Sequence, residues 1–180
     1  MKYLLNGSFQ NQNLMKLTLI FTLIFLTGFV ATNFALYFSK MSVTAESVRN
    51  YYLGSEEAYT MPRTYQSMLE VTHSHLPMMA LVVLLLTHLL IFAPYKLNIK
   101  VAIIISGFSL ALLNESAGWL IRFVSPELAW LKVTTFLGLQ AILGFLIVAL
   151  SVFLIKGRAF TPFMPSTHLR QMPVTKSETK

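Results

Sequence analysis

Four long apolar blocks constrain this chain more than anything else in it. They cover roughly residues 14–38, 75–95, 99–123 and 130–155, and each can cross a bilayer as a helix of about 20 residues. A small globular core could not absorb so much apolar sequence. Only 12% of the residues are charged, about half the share in a soluble domain, while 55% are hydrophobic. The expected fold is all-α: a four-helix transmembrane bundle with a short extracytoplasmic helix in its first loop. The membrane domain is expected over residues 1–160. A flexible cytoplasmic tail is expected over 161–180, where Pro162, Pro165 and Pro173 stand among polar residues.

Local signals agree with these spans. Pro94 and Pro126 fall near block ends, where a helix stops at little cost. Tyr37, Tyr95, Trp119 and Trp130 stand where interfacial aromatics belong. The first block exceeds the apolar core of a signal peptide and no small-residue cleavage pattern follows it, so an uncleaved helix is expected.

The basic residues set the orientation. Nine Lys and Arg fall on the side of the two termini and the 96–100 turn, and five on the other, which makes the first side cytoplasmic. Residues 39–72 then face outward across a bacterial inner membrane. Basic residues flank apolar blocks and form no basic helix or aromatic-basic repeat. The net charge of +7 therefore belongs to membrane topology and not to nucleic acid.

Within the outer loop, Thr44 is a potential N-cap, Glu46 lies early in the following turn, and Tyr51-Tyr52-Leu53-Gly54 ends at a glycine. This segment fits either a short helix on the membrane surface, available to a partner, or a lid packed over the bundle.

Chemistry concentrates at the second block. Three of the four histidines, His73, His75 and His88, lie in or just before it, with Glu70 upstream. At about 100° per residue, Glu70, His73 and His88 share one helical face. His75 points nearly opposite, on a face shared with Met68 and Met79. On the third block Gly107, Ala111, Glu115 and Gly118 fall in a narrow arc. Small residues there let helices approach closely, which turns Glu115 toward the bundle. Polar groups at membrane depth are costly and usually have a role or a partner. The candidate metal site is therefore Glu70, His73, His75 and Glu115, for iron or copper, and the candidate haem ligands are His73 and His88.

Each use of these residues has its own chemistry. The separation of His73 and His88, about 22 Å of helix rise, resembles that of the paired histidines on the haem-carrying helices of membrane cytochromes b. Such a haem b would draw its second ligand from a methionine or another chain, since no other block holds a histidine. Glu70-x-x-His73 is similar to the half-motif of di-iron four-helix bundles, which a homodimer would complete. Met68, His75 and Met79 suit Cu(I). A carboxylate beside imidazoles could also take protons from a quinol. The chain has no cysteine, which excludes disulfides, thiolate sites, iron-sulfur clusters and thioether-linked haem within it. No nucleophile elbow or phosphate loop marks a self-sufficient enzyme.

The leading expectation is an integral membrane redox subunit. It would bind haem b or a metal near the extracytoplasmic surface and pass electrons between quinone and a partner protein. Lipid surrounds it, and its incomplete ligand set implies a homo-oligomer or larger membrane complex. The alternative is a non-redox accessory or assembly protein, whose polar intramembrane residues serve packing or partner binding.

Overall fold

The computed structural model describes residues 13–156. The segment expected to be a flexible tail, with its prolines and His168, lies outside the described residues. The chain forms α1 (Asn13–Phe38), α2 (Ala45–Leu53), α3 (Tyr65–Leu90) and α4 (Leu97–Phe123). A single 3₁₀ turn (Pro126–Leu128) then leads into α5 (Ala129–Lys156). All four long helices are long and apolar enough to cross a membrane. The shortest, at 26 residues, reaches about 39 Å, beyond a hydrocarbon core of roughly 30 Å. This is the expected four-helix transmembrane bundle.

Local chemistry sets the helix ends. Thr44 is extended and its hydroxyl accepts the Ser47 N–H at 3.3 Å, which starts α2. Gly54 ends α2 with φ at 81°, its N–H donating to the Asn50 carbonyl. A Cβ at Gly54 would stand 2.5 Å from the Thr60 carbonyl oxygen, so glycine is required on both counts. The chain doubles back there through an antiparallel Ser55–Thr60 bridge. Thr64 then repeats the capping device for α3, accepting the Ser67 N–H at 3.2 Å.

That cap places the polar run from Gln66 to Ser74 inside α3, well before the apolar block begins. It also leaves Pro77 inside the helix and not at its first turn. A proline has no N–H to give, so the His73 carbonyl loses its usual helical donor.

The fourth long helix, α5, is the hub. It packs against α1, α2, α3 and α4. Leu139, Leu143, Leu146 and Leu150, alternately four and three residues apart, form its buried seam. They meet Val83, Leu86 and Leu90 of α3 and Leu23 and Leu26 of α1 in one core cluster. Gly107 lies against Val83 and Ile142, and Gly138 against Leu110, which lets the helices approach closely. Leu14, Leu17, Phe21, Ile24 and Phe25 of α1 face outward, as suits a helix in contact with lipid.

A second core cluster closes the end where α2 lies. Val48, Tyr52 and Ala45 of α2 pack with Tyr37, Met41, Met68, Ile121 and Phe136. The Arg49 Nε donates to the Pro126 carbonyl at 3.0 Å, and its guanidinium pairs with Glu127 at 2.9 Å. Of the two readings of this loop, α2 is thus a lid packed over the bundle.

Candidate functional site: a polar cavity under the lid

A cavity of about 200 Å³ lies where the two core clusters meet. All five α-helices contribute to it. The lid supplies Tyr51 and Tyr52, α3 supplies Met68, His75 and Met79, and α4 supplies Asn114, Glu115, Gly118 and Trp119. From α5 come Lys132, Phe136, Leu139 and Gln140, and from the end of α1 come Asn33 and Tyr37. The Tyr37 ring stacks on Phe136 at 3.8 Å between centroids and forms one wall.

The central pair is His75 and Glu115. The imidazole Nδ1 lies 3.9 Å from a carboxylate oxygen, too far for a direct hydrogen bond but close enough for one atom to serve both. Glu115 reaches this position because Gly107, Gly118 and Ala117 are buried on α4. Gly118 also seats the lid, since a Cβ there would meet the Tyr52 ring at 2.8–3.0 Å. Trp119 Nε1 donates to the Thr72 hydroxyl at 2.8 Å and ties α4 to α3 beside the cavity.

The charge balance is unusual for membrane depth. Lys132 is only 8% exposed, and its ammonium donates to the Asn114 carbonyl at 2.7 Å. Glu115 is close enough to act on it electrostatically. Arg63 lies over the Tyr51 ring, 4.3 Å from its centroid. With Lys40 they make three cations lining a space that holds one carboxylate. Burial pushes the Tyr52 phenol well above the ordinary tyrosine range, and Tyr51, Glu115 and Tyr37 add to that while Arg63 opposes it. Tyr52 therefore stays a neutral hydrogen-bond donor. Two buried acceptors, Asn114 Oδ1 and Gln140 Oε1, find no hydrogen-bond partner among the described residues. Such atoms cost about 1–3 kcal/mol each and call for an explanation.

The residues singled out in the sequence divide between two faces of α3. His75 turns inward with Met68 and Met79, and Glu115 joins it. Glu70 and His73 are exposed on the outer face, where Glu70 accepts from the Gln66 amide at 3.1 Å. His88 is also exposed, in the last turn of α3, with its ring edge-on to Phe92. The four candidate metal ligands thus lie as two separate pairs. Among the described residues, no three His, Asp or Glu side chains are grouped closely enough to hold one ion. Arg122 donates to the Arg63 carbonyl at 2.9 Å and does not serve as the Glu115 counter-ion.

Sequence reasoning passed over Lys132, Gln140, Tyr52 and Arg63. The signal for the first two was present: they are the only strongly polar side chains in the stretch 130–150, eight positions apart with Phe136 midway.

A family model, Aq_1264_TM, described as a transmembrane helical domain, matches residues 42–160. That match takes in the lid and the three helices that carry His75, Glu115, Lys132 and Gln140. No curated protein and no solved structure matches the chain.

Proposed function

The chain belongs to this family of transmembrane helical domains, and from that premise we propose that it is a redox subunit that takes a quinone-class ring into the cavity under the lid. One observation carries the reading: the His75–Glu115 pair, 3.9 Å apart, lines a cavity walled by aromatic and thioether side chains at the end of a membrane bundle. A cavity of about 200 Å³ suits a ring-sized headgroup, being smaller than the usual site for a whole drug-sized ligand. An apolar tail would remain in lipid.

Oxidation of a quinol releases two protons and two electrons. His75 accepts one proton from the nearer ring hydroxyl as general base and hands it toward Glu115, and the second proton leaves the other hydroxyl to water at the mouth of the cavity. A haem b or an iron or copper centre, if held by the complex, would supply the one-electron acceptor for the two electrons, and a partner protein would receive them in the end. A haem held by His73 or His88 would sit against the exposed face of α3, with its second ligand drawn from another chain. Such a haem would require an oligomer or larger complex. A metal ion inside the cavity could use His75, Glu115, Met68 and Met79. The three cations lining the same space favour an uncharged ring instead.

By the distribution of Lys and Arg, the lid faces the outside of a bacterial inner membrane and both termini face the cytoplasm. The protons would then be released outward.

The chain has two tryptophans, and Trp119 lines the cavity while Trp130 faces outward. A Trp130→Phe chain reports on the site alone. A tail-less quinone should quench Trp119 emission saturably, and Glu115→Gln together with His75→Leu should weaken that binding at least tenfold. Purified complex should also carry a visible band or bound iron or copper. Linear, unsaturable quenching and a colourless, metal-free protein would leave the accessory role, with the polar groups serving packing.

A further inference from the structure

The cavity has a second polar pole that proton transfer at His75 does not use. Gln140 lies two helical turns from Lys132 along α5, about 12 Å of rise. It lines the cavity, is 5% exposed, and its Oε1 has no hydrogen-bond partner. The Asn114 side-chain oxygen is in the same position. Lys132 faces the same space, and an ammonium has three donors while its bond to the Asn114 carbonyl uses one. Lining one cavity, a buried amide and a buried ammonium can between them meet a ring oxygen in any state. The amide oxygen accepts from a hydroxyl, while the amide nitrogen and the ammonium donate to a carbonyl or to an anionic oxygen.

We infer that Gln140, with Lys132 and the Asn114 amide lining the same cavity, binds the second oxygen of a ring whose first oxygen meets His75 and Glu115. The ligand class is thereby narrowed to a flat ring bearing two opposed oxygens. The inference rests on the proposed function, which needs only the first pole. It makes the site a bridge from α3 and α4 to α5, the hub of the bundle. Neither Lys132 nor Gln140 takes part in the proton step; they set which ring is held and which way it lies.

The test compares a tail-less 1,4-quinone with a one-oxygen phenol of the same size, the phenol read by competition against the quinone at Trp119 in the Trp130→Phe chain. With both poles working, the quinone binds at least tenfold tighter than the phenol. Gln140→Leu, close to isosteric, should remove that advantage by weakening the quinone and sparing the phenol. Asn114→Leu, which removes the other unpartnered amide oxygen, should do the same and serves if Gln140→Leu fails to fold. Two ligands that bind equally well to the parent chain, or two that lose equally in both variants, would overturn the second pole and leave the proposed function standing. A parent chain that binds no quinone would overturn both.

Discussion

His75 Nδ1 faces the Glu115 carboxylate at 3.9 Å across the gap between α3 and α4, with the imidazole side chain 44% exposed and the carboxylate 10%. The two groups differ in access as well as in chemistry. The imidazole is the side chain that an incoming ring or water can reach, and the carboxylate is held behind it by the close approach of α4.

Glu115 also offsets the buried Lys132, and that coupling can be measured without any ligand. Neutralising Glu115 alone leaves the ammonium buried without its opposing charge, which is the costly way to break a buried pair. Glu115→Gln should lower stability by about 1 kcal/mol or more in detergent. Adding Lys132→Met should restore part of it, a positive coupling in a double-mutant cycle. Strictly additive losses would show that the two charges do not act on each other.

Gly118 sets how deeply the lid seats. Its missing side chain leaves room for the Tyr52 ring, which a Cβ would meet at 2.8–3.0 Å. Gly118→Ala should cost about 1–3 kcal/mol through overpacking, read as a lower thermal midpoint, and Tyr52→Leu in the same chain should recover most of it. An unchanged midpoint in Gly118→Ala would mean that α2 does not hold its place over the cavity.

The outer edge of the lid should respond differently. Glu127 is well exposed, so the Arg49–Glu127 ion pair contributes about 0–1 kcal/mol. Glu127→Gln should therefore be nearly neutral. Arg49→Ala should cost more, because it also removes the bond to the Pro126 carbonyl that anchors α2 to the 3₁₀ turn. Comparing the two chemical midpoints checks this order.

Hydropathy reads the four helices well, because apolar blocks of this length have no other use in a short chain. It does not show where α3 begins. The helix starts at the Thr64 cap, and the run after it mixes polar and apolar residues too evenly to extend the apolar block, which makes Pro77 an interior residue. Helical phase correctly separates His73 from His75 on opposite faces and turns Glu115 toward the bundle. Phase alone cannot say which face of α3 meets protein, and that decides the fates of Glu70, His73 and His88. In the sequence Lys132 reads as one more topological charge. Its burial depends on contact with the Asn114 carbonyl of another helix, eighteen residues away, which no local pattern announces.

The absence of cysteine makes the topology easy to test. Glu57→Cys places one thiol in the exposed loop beyond α2. A membrane-impermeant maleimide added to intact cells should label it, while a cysteine replacing Lys180 should react only after the membrane is opened. The reverse pattern would invert the bundle and put the lid on the cytoplasmic side.

The central claim is that a quinone ring enters the cavity beneath α2, and photoaffinity labelling tests it most directly. A short-tailed azidoquinone, irradiated with the protein in native membranes and mapped by peptide mass, should attach to cavity residues such as Met68, Met79 and Tyr52. An excess of plain quinone should suppress that label, and Glu115→Gln should weaken it. Label confined to the lipid-facing side of α1, or cavity label that plain quinone does not displace, would contradict the account.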